Sequence, residues 1–193
     1  LKVHEISYQV GYENPNQFIH HFKKITGKTI MQEYNNLKIR EAKKLIKSNS
    51  CPLIIDADGI NALAGCIDLL KKANAPIILT PHPTEMARLI KSDVKTVEAN
   101  RITIARNFAK QYNCILVLKG ANTLITDPSG KVYFNTLGNS GMATGGSGDV
   151  LSGIIVSLLA QGLPPIEAAN AAVYLHSLAA DKAAKITGEA GLL

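Results

Sequence analysis

The chain has 193 residues, 46% of them hydrophobic and 19% charged, with a formal net charge of +6. That length allows one ordinary domain or two small ones, and no stretch approaches the roughly eighteen apolar residues of a membrane span. Cys51, Cys66 and Cys114 are widely spaced and form no C-x-x-C pair, so reduced thiols, a cytoplasmic location and no membrane association are expected.

The excess charge is N-terminal: residues 1–50 hold nine Lys/Arg against four Asp/Glu, whereas 51–193 hold twelve against eleven. A basic block of that size points to a solvated helix face or a polyanion partner. The pattern in it is helical. Val3, Ile6 and Val10 share one helical face, Gly11 interrupts, and Asn14-Pro15 reads as an N-cap followed by proline at the first helical position. The next helix is expected to bury Phe18, Phe22 and Ile25 and to stop at Gly27. Thr29 with Gln32 forms a capping box opening a longer helix, which can place Met31, Tyr34, Leu37, Ala42 and Leu45 near one side. Helix, tight turn, helix, longer helix is the helix-turn-helix plan. The string HEISYQVGYENPNQFIHHFKKITGKT resembles one such unit of the AraC-type transcription regulators, and YNNLKIREAKKLIKS resembles the helix that links two units there. The resemblance implies Asn16, Gln17, His20, His21 and Lys23 as candidates for contact with DNA, with weak binding through residues 1–50.

From Cys51 the pattern becomes strands alternating with helices. PLIIDA (52–57), PIILT (76–80) and CILVLKG (114–120) are short apolar runs of the buried parallel-strand kind. Val94 to Asn113 reads as one helix, TLITDPSGKVYFN as a hairpin turned at Pro128-Ser129-Gly130, and two alanine-rich helices follow at about Asp149–Gln161 and Pro165–Lys185. An α/β sheet with flanking helices is the expected fold, preceded by the small all-helical segment. The expected boundary gives domains of 1–50 and 51–193.

Ligands of open α/β sheets bind beyond the carboxyl ends of the strands. Asp56 and Asp58 follow the first strand, His82 and Glu85 the second, and Lys119 to Thr123 the third. Each also has an ordinary structural use. Asp56 and Asp58 can shape a strand-to-helix turn, and Glu85 suits a first helical turn. His82 can be a loop histidine satisfied by backbone, and His176 sits in an apolar helix with no catalytic part expected.

The stretch GNSGMATGGSGDVLSG (138–153) puts glycines and one carboxylate where a loop enters a helix. Unpaired N–H groups, the helix dipole and missing Cβ atoms make such a place an anion site, here Gly145, Gly146, Ser147 and Gly148. Asp149 is then better suited to take a proton from an attacking hydroxyl than to hold a phosphate. From the short motif alone, a flexible turn capped by Ser147 or Asp149 stays equally open.

The longer string, with PLIIDADGINALA (52–64), ILTPHPTEMARL (78–89) and VLKGANTLI (117–125), resembles the ADP/ATP-dependent NAD(P)H-hydrate dehydratases of the ribokinase-like superfamily, over roughly Cys51 to Leu193. The resemblance implies a partial ribokinase-like sheet, nucleotide contacts from Lys119, Gly120, Ala121, Asn122, Thr123 and Gly148, and contacts to the hydrated dinucleotide from His82 and Asp149. It implies Asp149 as the catalytic base, Mg²⁺ bridging the phosphates of ADP or ATP, no dedicated protein cage for a metal, and NADHX or NADPHX as substrate. A homo-oligomer is expected. The family's domain normally has further strands upstream of the DADGINALA-like stretch, so an exposed sheet edge is expected. A ribokinase-like kinase of a vitamin precursor and a DNA-binding regulator with a nucleotide-sensing α/β half are the alternative functions.

Overall fold

The computed structural model describes residues 2–192. They divide into two compact units, one ending at Lys44 and the other beginning at Leu45.

The first unit is helical. Helix α1 spans Val3–Gln9, α2 Pro15–Thr26 and α3 Ile30–Ser48, the last turn of α3 belonging to the second unit. The local signals act as expected. The Asn14 side chain accepts from the Asn16 amide at 2.9 Å, Gly27 closes α2 in the left-handed conformation, and Thr29 and Gln32 exchange side-chain and backbone bonds of 2.7 and 3.2 Å. Phe18 and Phe22 are half-buried beside one another, and Phe18 also packs against Tyr12. Ile25, expected inside, is 81% exposed. With seven residues, α1 covers too short a stretch of α2 to enclose its last turn. Met31, Tyr34, Leu37 and Leu45, which the sequence places near one side of the helix, are exposed as well, and Ile46 is the buried residue of α3.

The second unit holds a five-stranded sheet of β1 (Leu53–Ile55), β2 (Ile77–Leu79), β3 (Ile115–Leu118), β4 (Leu124–Thr126) and β5 (Val132–Phe134), in that spatial order. β1, β2 and β3 are parallel, whereas β4 and β5 run antiparallel and form the expected hairpin. Gly130 supplies the positive φ of +86° that the hairpin turn requires, and its amide donates to the Asp127 carbonyl at 2.9 Å. Among the described residues β1 is an edge strand, and its three residues are half-buried.

Alternation along the strands feeds two cores. Ile77, Leu79, Leu116, Leu118 and Leu124 join Ile46 and the residues of α4 (Asp58–Leu63), α5 (Pro83–Leu89), α6 (Val94–Ala99) and α7 (Arg101–Tyr112). Ile78, Ile115, Val117 and Ile125 face the other way, onto α8 (Ser147–Ala160) and α9 (Pro165–Thr187). The sheet is thus covered by helices on both faces, which explains why its central strands read as unbroken apolar runs. The single helix expected over Val94–Asn113 is two. Asn100, at φ −129° and ψ 28°, breaks the helical backbone and turns the chain so that Arg101 opens α7. Burial pushes the Cys114 thiol up to about 12, so it stays protonated, while Cys51 is exposed. Among the described residues, no helix is long and apolar enough to cross a membrane.

Candidate active site

Parallel pairing puts the carboxyl ends of β1, β2 and β3 on one side of the sheet, and each end delivers one polar side chain. Asp56 follows β1, His82 opens α5 after β2, and Lys119 follows β3. Backbone bonds continue past the strand ends: the Thr80 amide donates to the Ile55 carbonyl at 3.3 Å and the Lys119 amide to the Pro81 carbonyl at 2.9 Å. The loops therefore start from fixed positions.

The centre of the site is an ion pair. Lys119 Nζ lies 3.0 Å from Asp56 Oδ1, and Ser152 Oγ donates to Asp56 Oδ2 at 3.1 Å. Glu85 Oε2 is 4.0 Å from the same ammonium. Side-chain exposure is 22% for Lys119, 15% for Asp56 and 6% for Glu85, so the charges meet in a partly desolvated setting where pairing is strong. Burial opposes ionisation of Asp56, but the hydrogen bond and positive charge of Lys119 outweigh it and hold the carboxyl below the ordinary carboxylate range. Ala57, directly after Asp56, has φ 46° and ψ −116°, a strained backbone for a residue with a Cβ; its amide bonds Asp56 Oδ1 at 2.9 Å.

His82 performs the structural task its position suggests. Its Nδ1 accepts from the Thr84 and Glu85 amides at 3.1 and 3.3 Å, and Glu85 returns a bond to the His82 amide at 2.8 Å, a reciprocal cap for α5. An Nδ1 that accepts leaves the ring proton on Nε2, 3.4 Å from Glu85 Oε1. The imidazole also lines the cavity described next.

That cavity, of about 670 Å³, brings together His82, Lys119, Gly120, Ala121, Asn122, Thr123, Ser147 and Gly148 from the sequence-derived candidates, along with Gly138–Ser140, Met142–Thr144 and the half-buried His176. Gly148 lies against the ion pair: a Cβ there would sit 3.4 Å from both Asp56 Oδ2 and Lys119 Nζ. Gly146 enters α8 with φ +90°, and Gly145 and Gly146 are exposed with open space where a side chain would be. Asp149 stands exposed in the first turn of α8; like Gly145 and Gly146 it is not part of the cavity wall. Asp58 is exposed in the first turn of α4. Among the described residues, no three His, Cys, Asp or Glu side chains converge on one point. With both Asp56 oxygens engaged, the donor set suits a divalent cation that arrives on phosphates and takes one further carboxylate.

Several residues that hold the site carry no local motif. Ser152 stands one helical turn beyond Gly148, a spacing that the helix assignment makes readable afterwards. Asp181, on α9, accepts from the Gly138 amide and from Asn139 Nδ2, both at 2.9 Å, and those two bonds hold its carboxyl below the ordinary range. Asn139 in turn accepts from the Gly141 amide at 3.1 Å, while buried Asn135 donates to Ser177 Oγ at 2.9 Å. Arg101 grips the segment after β3 through three carbonyls.

A sequence profile of the NAD(P)H-hydrate dehydratase family matches residues 33–192, reaching back into α3. The chain belongs to that family. Among curated relatives, it is 45% identical over 151 residues to the bifunctional NAD(P)H-hydrate repair enzyme of Moorella thermoacetica, covering 78% of this chain and 28% of that one. It is 46% identical over 145 residues to the ADP-dependent (S)-NAD(P)H-hydrate dehydratase of Neisseria meningitidis serogroup B, covering 74% and 49%. The chain therefore spans half or less of the length of these relatives. Among solved structures, the Bacillus subtilis ADP/ATP-dependent NAD(P)H-hydrate dehydratase co-crystallised with ATP and Mg²⁺ superposes with a TM-score of 0.69 at 34% identity, over 77% of this chain and 52% of that one. A ribokinase-like superfamily protein from Enterococcus faecalis gives 0.65 at 34% identity, over 77% and 51%.

The depressed Asp56 carboxyl sets a pH dependence. A carboxyl lowered in the folded state contributes stability that is complete above its ordinary range and is lost as the pH falls through the lower folded value. Asp56→Asn should therefore melt below the unaltered chain at pH 7, by an amount corresponding to about 1–3 kcal/mol, and the difference should shrink on acidification below about pH 4. Melting curves across pH check this; a difference independent of pH means the Lys119 pairing contributes nothing.

Proposed function

We propose that the chain carries the catalytic half of a nucleotide-dependent dehydration of hydrated NAD(P)H, regenerating NADH or NADPH from NADHX or NADPHX. The observation that carries the proposal is Lys119, tethered by Asp56 beside Gly148 at a helix start, in the cavity lined by Lys119–Thr123. An ammonium, first-turn amides and close backbone approach are what a nucleotide phosphate needs. The names of the Neisseria and Bacillus relatives support ADP or ATP as that nucleotide, with Mg²⁺ riding on the phosphates.

In this reading the terminal phosphoryl of ADP or ATP rests on the Gly145–Gly148 loop and on Lys119. Asp149, in the first turn of α8, accepts the proton of the C6 hydroxyl of the hydrated nicotinamide as that oxygen attacks phosphorus. The new O–P bond forms as the bond to the nucleotide's bridging oxygen breaks, leaving AMP or ADP. The ring nitrogen then expels phosphate from C6, and loss of a C5 proton restores the dihydropyridine. His82, with its proton on Nε2, offers a donor to the dinucleotide from the cavity wall. The exposed setting of Asp149 leaves its carboxylate open to a substrate entering from solvent.

We propose, too, that residues 1–50 form a helix-turn-helix fragment. This reading is supported by α1 and α2 joined through a short turn and by Asn16, Gln17, His20, His21 and Lys23, all exposed on α2. With one such unit, weak and salt-sensitive DNA binding is expected. The double substitution Lys23→Glu with Lys24→Glu should abolish the fluorescence anisotropy change on a random duplex at low salt; persistence of the signal places the contact elsewhere.

Asp149→Asn separates the base from a mere helix cap, because asparagine retains capping ability. Recovery of NADH absorbance from its hydrate should fall by about 10²- to 10⁴-fold, with ADP affinity and melting temperature close to those of the unaltered chain. Full turnover in this variant removes Asp149 from the mechanism.

A further inference from the structure

Arg101, at the start of α7, makes three hydrogen bonds to backbone carbonyls at the end of the sheet. Its Nη1 donates to the Ala121 carbonyl at 2.8 Å, and its Nη2 donates to the Leu118 and Lys119 carbonyls at 3.1 and 3.3 Å. The side chain is 14% exposed, and Glu98 Oε2 is 3.7 Å from Nη1. This grip requires glycine at 120: with φ +133°, Gly120 brings its backbone so close that a Cβ would stand 2.9 Å from Arg101 Nη1. Asn122 follows in the left-handed region at φ 55°.

A trans peptide carries its C=O and N–H on opposite sides. The chain has no cis bonds among its described residues. Holding the Lys119 and Ala121 carbonyls toward the guanidinium therefore turns the Gly120 and Asn122 amides away from it. Among the described residues neither amide has a backbone acceptor, whereas the Lys119 amide is taken by Pro81. Gly120 and Asn122 also line the cavity that holds Lys119 and Gly148. We propose that Arg101 is a positioning residue, a planar clamp that converts the Gly120 and Asn122 amides into a second phosphate-binding nest facing the Gly148 loop. Arginine suits the task because its planar fork fixes the directions of its donors, whereas the lysine ammonium is a compact charge on a flexible stem. A cation on the carbonyl side of a peptide also strengthens the N–H on the other side as a donor. The inference rests on reading Lys119–Thr123 as the nucleotide segment.

The test compares Arg101→Lys and Arg101→Met with the unaltered chain, using Mg²⁺–ADP and adenosine as probes in calorimetric titrations, adenosine by competition. Both variants should lose about tenfold or more in ADP affinity while adenosine affinity holds, because the displaced amides meet phosphate and not the nucleoside. Without ligand, amide hydrogen exchange across residues 118–123 should quicken in both. Unchanged ADP affinity in both variants overturns the inference, as does an equal loss for ADP and adenosine, which is what general loosening of the fold would produce. If the unaltered chain binds no ADP, the nucleotide reading itself fails and takes the inference with it; that outcome is distinct, since it is seen before any substitution is made.

Discussion

The Asp56–Lys119 pair is the contact on which the site depends. An ammonium at the end of β3 has a long, flexible stem and many directions open to it. Asp56, at the end of a strand two places away in the sheet, gives it one. The direction is toward Gly148, where helix α8 begins and a missing side chain leaves room. Pairing also keeps the Asp56 carboxylate ionised where partial burial would otherwise favour neutralisation. Remove the carboxylate and the lysine is still present, but its position beside the first-turn amides no longer follows from the fold.

The rest of the second unit makes that pairing possible. Asp56 and Lys119 reach each other only because β1, β2 and β3 are parallel, so that their carboxyl ends coincide. The parallel arrangement in turn needs helices on both faces, supplied on one side by α4–α7 and on the other by α8 and α9. The second layer brings the glycine loop: α9 tethers Gly138 and Asn139 through Asp181 while α8 presents Gly148 and Ser152 to Asp56. The first brings Arg101 beneath the segment after β3 and His82 as the cap of α5. Each wall of the cavity is thereby fixed by a different layer, and the ion pair joins them.

Features written within a few residues were legible in the sequence. Asn14, Thr29 with Gln32, the Pro128-Ser129-Gly130 turn and the strand-end placement of Asp56, His82 and Lys119 all follow from local chemistry that context does not override. The glycine-rich entry to α8 was legible for the same reason. What escaped depends on distance along the chain. Arg101, Ser152 and Asp181 act on partners many residues away and look like ordinary helix-surface polar residues until the sheet is assembled. The break at Asn100 carries no proline or glycine to announce it, so the apolar spacing of 94–113 reads as continuous. Ile25 fits a helical stripe, but periodicity reports only which residues share a face, and the short α1 leaves that part of the face uncovered.

The coupling between Asp56 and Lys119 in nucleotide binding is the most direct measure of this account. A double-mutant cycle on Mg²⁺–ADP affinity, with Asp56→Asn, Lys119→Met and the two combined, isolates it. If the carboxylate works by aiming the lysine, then once Lys119 is gone Asp56→Asn should cost little more, and the combined variant should bind about as weakly as Lys119→Met alone. Losses that simply add would mean that Lys119 finds the phosphate without Asp56, and the pair would then be a contact of the fold and not the organiser of the site.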